Sequence, residues 1–282
     1  MKNNNIDFVF FGTPGFSVDI LKALESENLV PKLVVTTPDR ERGRGQKQQS
    51  TPVAGWAKKH RIETWKPEAV DDGFLKKLKA RAPQDGWDVF VVVAYGKILP
   101  EGLIYLPKRN TLNVPPSLLP KVRGPAPIRG TILKADNAGV TIIELDELMD
   151  HGPIIAQEKV KTEQWPPRYD DLKPRLAKAG GTLLADILPR WMSGDIDATP
   201  QSHDQATYIE KFKASDGRID FGDDPKHNLR KIRAFTDWPK AHFFKGDTRV
   251  VITKAHIEDG TLKIDRVKPE GENEMSYRAF TE

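Results

Sequence analysis

Two short stretches carry residue types able to hold charge on oxygen. The first is Asn113-Val114-Pro115-Pro116-Ser117-Leu118-Leu119-Pro120, followed by Lys121-Val122-Arg123-Gly124-Pro125-Ala126-Pro127-Ile128. An asparagine at a strand end offers a side-chain amide donor fixed by rigid neighbours, which suits an oxygen that gains negative charge. The prolines stiffen the window, since each fixes φ and removes a backbone donor. Taken alone, a rigid structural turn is the better reading of the stretch. The second is Asp150-His151-Gly152-Pro153. A carboxylate beside an imidazole can do acid-base chemistry, but adjacent residues seldom project to one point, and a surface aspartate in a turn is the plainer reading.

Two other features invite phosphate. The turn Gly12-Thr13-Pro14-Gly15 ends an apolar run, where glycines let a phosphate approach a helix N-terminus. The dinucleotide pattern fails there, because a third glycine at the required spacing is missing and Thr36 and Thr37 stand where an acidic residue is needed. Residues 38–49 contain Arg40, Arg42, Arg44 and Lys47, with Gly43 and Gly45 between them and no apolar residue but Pro38. Such a run lies in solvent, either as a plain charged loop or as an arm that closes over phosphates. The six histidines are scattered, without a His-x-x-x-His pair, so nothing points to a metal site.

The elements that must position these residues follow from periodicity. Residues 6–11 read as a buried strand, then a helix with Phe16, Ile20, Leu21 and Leu24 at helical spacing. Strands are expected at 33–35 and 88–94, with helices at 52–59 and 74–78 between them. The unbroken Val-Phe-Val-Val-Val stretch within 88–94 suits a sheet covered on both faces. This alternation implies a parallel α/β sheet. From Tyr95 to Gly130 special residues dominate, which reads as a long functional loop. Strands at 139–145 and 153–160 and a helix at 172–188 close the first domain, expected over residues 1–194. Residues 195–205 have linker composition. A second domain, 206–282, opens with a helix at 227–235 and continues in short runs split by Gly246-Asp247 and Asp259-Gly260, the pattern of a small barrel.

Composition bounds the rest. A chain of 282 residues favours two unequal domains. With no cysteine, disulfides, thiolate zinc sites and thiol nucleophiles are excluded. No run approaches the roughly 20 apolar residues that span a bilayer, and the N-terminus has no export pattern, so a cytoplasmic protein without a membrane is expected. A net charge of +4 is mild, so the placement of charge must carry any nucleic-acid argument.

In order, these segments resemble the formyltransferases that use 10-formyltetrahydrofolate, and within them the methionyl-tRNA formyltransferases. The resemblance runs nearly end to end. It rests on Phe10-Phe11-Gly12-Thr13-Pro14, Pro38-Asp39-Arg40 with Gly43-Arg44-Gly45, Ala94-Tyr95-Gly96-Lys97-Ile98-Leu99-Pro100, Ser117-Leu118-Leu119-Pro120 with Arg123-Gly124-Pro125, Gly139-Val140-Thr141, Asp150-His151-Gly152-Pro153-Ile154 and Arg233-Ala234-Phe235 with Trp238-Pro239. The resemblance implies a Rossmann-like domain with a mostly parallel sheet, followed by an OB-like β-barrel that here lacks several strands. It implies that the α-amine of methionyl initiator tRNA attacks the formyl carbon of the folate. Asn113 and Asp150 take the family's catalytic asparagine and aspartate positions. The family's pattern is Asn-x-His, and Pro115 stands in place of the catalytic histidine. The folate is expected to lie against Ser117, Leu118, Leu119 and Pro120, with its pterin ring beside Val92, Ala94, Tyr95, Gly96, Ile98 and Leu99. Arg40, Arg42, Arg44 and Lys47 resemble an arm that reaches tRNA, and the protein is expected to be a monomer without bound metal. Two other readings compete: a protein that binds folate or tRNA without turnover, and a sugar-nucleotide N-formyltransferase. The basic arm favours tRNA over sugar.

Overall fold

The computed structural model describes residues 6–42 and 47–282, with the backbone alone for Glu41, Arg42 and Lys47. In chain order the first elements are β1 (Phe8–Gly12), α1 (Gly15–Ser26), β2 (Leu33–Val35), β3 (Arg40–Arg42), β4 (Lys47–Gln49), α2 (Pro52–Lys59), β5 (Glu63–Trp65), α3 (Asp72–Arg81) and β6 (Val89–Val93). Then follow α4 (Glu101–Ile104), β7 (Thr111–Asn113), α5 (Pro127–Lys134), β8 (Ala138–Glu144), β9 (Ile154–Val160) and α6 (Tyr169–Ser193). The last are α7 (Pro225–Ala234), β10 (His242–Lys245), β11 (Thr248–Glu258), β12 (Thr261–Pro269), β13 (Met275–Ser276) and α8 (Tyr277–Thr281).

Two compact units result. The first comprises Met1–Arg123, Gly139–Val160 and Pro174–Ala206, and the second Gly124–Ala138, Lys161–Lys173 and Thr207–Glu282. The stretch 195–205, read from composition as a linker, thus packs within the first unit. Residues 124–138 and 161–173, far from the C-terminus in sequence, join the second.

The first unit is a seven-stranded sheet in the order β5-β2-β1-β6-β7-β8-β9. Strands β5, β2, β1, β6 and β7 are parallel, and β8 runs antiparallel to β7. Every residue of β1 and β6 is buried, which is why both read as unbroken apolar runs. The chain leaves β1 for β2 and β5 on one side, then crosses to β6 on the other, so the order reverses between β1 and β6. Ligands of open α/β sheets bind at such a reversal, beyond the carboxyl ends of the strands. α6 packs closely on α1: an added Cβ at Gly181 would meet Ala23 Cβ at 2.5 Å. The expected long loop 95–130 is broken by α4, β7 and α5, because Leu103, Ile104, Leu112, Ile128 and Ile132 find buried places.

In the second unit β10, β11, β12 and β13 form one antiparallel sheet in that order. This four-stranded sheet stands where the small barrel was expected. Among the described residues β10 and β13 end it, and an OB barrel needs five strands to close. Asp259 and Gly260, with φ of 48° and 74°, make the left-handed turn between β11 and β12. α7 buries Leu229 and Ile232 on one face, and its Arg230 donates to the carbonyl of Ala135 at 2.6 Å. No helix among the described residues is long and apolar enough to cross a membrane.

Candidate active site

The register of the sheet brings three strand ends together. Gly12 of β1 pairs with Val93 of β6, and Val92 of β6 pairs with Asn113 of β7. The turn after β1 is tied to the turn after β6: Thr13 Oγ1 donates to the carbonyl of Tyr95 at 2.8 Å, and Ser17 Oγ to that of Val93 at 2.6 Å. Val92, Ala94, Tyr95 and Gly96 therefore lie at the same sheet end as Asn113. Ala94 and Gly96 bend the chain sharply there, with φ of 48° and 85°. The Tyr95 side chain does not face outward. It is buried edge-on against Phe11, its hydroxyl has no partner among the described residues, and burial pushes its pKa up to about 12. Leu99 is buried too, whereas Ile98 is 88% exposed, an apolar side chain left open beside the strand ends.

Asn113 Oδ1 accepts from the backbone N–H of Val114 at 2.9 Å. This turns the amide so that Nδ2 has no acceptor among the described residues. Pro115 is buried, and its carbonyl accepts from the N–H of Thr141 at 3.0 Å, which lays the loop along β8. The next residues are held from the same side. Thr141 Oγ1 donates to the carbonyl of Ser117 at 2.7 Å and accepts from the N–H of Leu119 at 3.1 Å. Gln157 Nε2 reaches the Leu119 carbonyl at 2.7 Å. Leu118 lies where a side chain on Gly139 would have to go, so only glycine fits at that point of β8. The Leu119–Pro120 peptide is cis. Ser117 Oγ is buried and has no hydrogen-bond partner among the described residues.

Asp150 stands in the connection from β8 to β9, in the left-handed region with φ of 52°. Gly152 closes that connection directly against the carbonyl of Glu144, which leaves no room for a Cβ. Two buried side chains that sequence reasoning missed hold the loop. Gln201 Nε2 donates to the carbonyls of Asp150 at 3.0 Å and Gly152 at 2.7 Å, and its Oε1 accepts from Arg123 at 2.6 Å. Arg123, only 1% exposed, ends the loop that begins at Asn113. The loops of Asn113 and Asp150 are thus joined through Arg123 and Gln201. The only sequence signal for Gln201 was a polar residue in a segment of linker composition. His151 is engaged within its own loop and with His203. Its Nδ1 meets Asp146 Oδ2 at 2.5 Å, and its ring stacks on His203. Leu148 and Met149 of the same loop are each 60% exposed, so the region offers apolar as well as polar contacts.

The basic arm is a short hairpin, with Arg40 opposite Gln49 and Arg42 opposite Lys47. Arg44 lies outside the described residues, and Arg40 is exposed. At the arm's base Asp39 accepts from Lys66 at 2.6 Å and from Ser50, and the Lys66 hydrogen bond holds its carboxyl below the usual range.

Two concavities lie away from these strand ends. One of about 610 Å³ lies between α1 and α2, lined in part by Lys22, Glu25, Trp56 and His60. The other, of about 230 Å³, is lined by Ile6, Phe8 and residues 28–32. Neither includes Asn113 or Asp150. The strand-end site is preferred because it gathers orphan polar groups at the sheet's reversal. Among the described residues no group of three or more potential ligands could hold a metal.

The sequence model of the formyl transferase family matches residues 4–188, and that of its C-terminal domain matches residues 211–261. A methionyl-tRNA formyltransferase of Sulfurihydrogenibium sp. is 42% identical over 260 residues, covering 90% of this chain and 81% of that protein. The chain belongs to the formyl transferase family. Solved formyl transferases share the fold. The methionyl-tRNA formyltransferase from Clostridium thermocellum superposes with a TM-score of 0.60 at 13% identity, covering 95% of this chain and all of that one. An N-formyltransferase from Helicobacter canadensis, solved with folinic acid and dTDP-3-aminofucose, gives 0.65 at 16% identity, covering 93% and 94%. The formyl transferase match spans the seven-stranded sheet, Asn113, Pro115 and Asp150 alike.

Proposed function

We propose that this formyl transferase moves the formyl group of 10-formyltetrahydrofolate to the α-amine of methionyl initiator tRNA at the carboxyl end of β7. The observation that carries the reading is the Asn113 amide, whose Oδ1 is occupied by the Val114 N–H and whose Nδ2 is left to an incoming oxygen. When bound, the folate supplies an activated formyl carbon. Attack by the amine forms the new C–N bond and drives negative charge onto the formyl oxygen, to which the Nδ2–H of Asn113 donates. When that charge returns, the bond from the formyl carbon to N10 of the folate breaks, and that nitrogen takes up a proton in exchange for the one the amine loses, so that tetrahydrofolate leaves. Asp150, with its backbone pinned by Gln201, holds its carboxylate near the reacting groups to order water and balance charge. The orphan Ser117 Oγ, the cradle at Ser117, Leu118, Leu119 and Pro120, and the exposed Ile98 fit a flat ring with polar edges. Arg40, Arg42, Arg44 and Lys47 meet phosphates of the acceptor stem.

Pro115 favours a second reading, a protein that binds folate and tRNA without turnover, because proline offers neither an imidazole nor an N–H. Formylation of methionyl initiator tRNA with labelled 10-formyltetrahydrofolate separates the two. Turnover that falls by about 10²-fold in Asn113→Ala, the usual loss on removing one oxyanion donor, supports the first. Tight folate binding by calorimetry with no turnover supports the second.

A further inference from the structure

The stretch 195–205 contributes a side chain that the proposed reaction does not use. The ring of His203 lies flat on that of His151, with centroids 4.0 Å apart and 4° between the planes. Its Nδ1 is 2.9 Å from Arg123 Nη2. A guanidinium only donates, so this contact requires a ring nitrogen without a proton. On the other side of the stack, His151 Nδ1 pairs with Asp146. The charged and titratable groups around His203 are His151, Arg123, Asp146 and Asp204. Protonation of His203 removes one acceptor of Arg123 and adds a cation between that guanidinium and His151. It would also strain the neighbouring Gln201, whose Oε1 shares the same Arg123 Nη2.

We infer that His203 is a positioning residue for Asp150: neutral, it completes a chain of contacts from Arg123 through the stacked His203 and His151 rings to Asp146 that holds the loop 146–152, and protonated, it releases that loop. Its bearing on catalysis rests on the proposed role of Asp150, while the coupling itself does not. Partial desolvation, reinforced by His151 and Arg123, holds the exposed His203 ring below the usual imidazole range, so release belongs to mildly acid solution.

The test is an NMR titration of the full chain from about pH 8 to about pH 5, following both imidazoles and the amides of Asp150, His151 and Gly152. The amides are expected to shift with the midpoint of His203. The shift should vanish in His203→Phe, which keeps a flat ring without the nitrogen. Amides that titrate independently of His203, or that shift equally in His203→Phe, overturn the inference. Formylation gives the second readout: kcat should fall about tenfold per pH unit below the His203 midpoint, with KM for folate little changed. An unchanged acid limb in an active His203→Phe also overturns it. Coupled amides in a protein that formylates at no pH leave the positioning role standing and remove the proposed function instead.

Discussion

Restoring an imidazole at position 115 is the sharpest test of the site. Pro115→His keeps the backbone carbonyl that accepts from Thr141 at 3.0 Å, so the loop stays laid along β8. Pro116 still follows and still favours an extended residue before it. The cost in stability is the lost restriction of the unfolded chain, about 0.4–1 kcal/mol. For a chain of this size that lowers Tm by about 1–4 °C. Against this stands the gain in rate. A positioned acid-base group contributes about 10²–10⁴-fold, equivalent to about 2.7–5.5 kcal/mol of barrier. In the role proposed for it, the Asp150 carboxylate would favour the charged imidazole. Initial rates of formylation under saturating folate, compared with Pro115→Ala, separate the imidazole from simple loss of proline. We expect Pro115→His to exceed both the unsubstituted protein and Pro115→Ala by about 10²-fold or more. Equal rates in Pro115→His and Pro115→Ala would refute the assignment of position 115. If the unsubstituted protein is fully active and His151→Ala abolishes activity, the chemistry has moved to the Asp150 loop, although the pairing of His151 with Asp146 argues against it.

Three further outcomes are expected. Thr141→Val removes the hydroxyl that joins Ser117, Leu119 and Gln157, leaving buried groups unpaired; calorimetry and thermal melting should show weaker folate binding and a loss of about 1–3 kcal/mol. Replacing Arg42 and Arg44 by alanine should weaken initiator tRNA binding and flatten its salt dependence by about one to two units of slope, with Tm unchanged, as read by filter binding across salt. Burial of His242 and partial desolvation of the exposed His203 beside His151 and Arg123 hold both below the usual imidazole value of about 6.5, so their contribution to stability is complete above that pH. As pH falls below it the unfolded chain takes up protons first, and Tm should decline until the lowered folded values are passed; His242→Phe should flatten part of that decline in a melting series.

Much of the first unit was legible because its strands are short apolar runs bounded by turns. β1 and β6 are buried on both faces, and such burial writes an unbroken Phe and Val pattern into the sequence. The Asn113 window was legible for a different reason, since its prolines fix the backbone locally. The β5 strand, by contrast, is only Glu63-Thr64-Trp65, partly exposed and defined by its pairing with β2 rather than by composition. The four-stranded C-terminal sheet was read as a barrel because alternating runs report strands and turns but not closure.

The sequence alone determined the family and the mostly parallel sheet, because each is written in local residue types. Only the tertiary structure decided that Arg123, Gln201 and His203 gather at the loop of Asp150. Arg123 and Gln201 are 78 residues apart, and a polar residue in a stretch of linker composition carries no mark of what it will touch. Their role comes from burial: a guanidinium and an amide removed from water must find every partner nearby. In this fold those partners are the His203 ring and the carbonyls of the Asp150 loop.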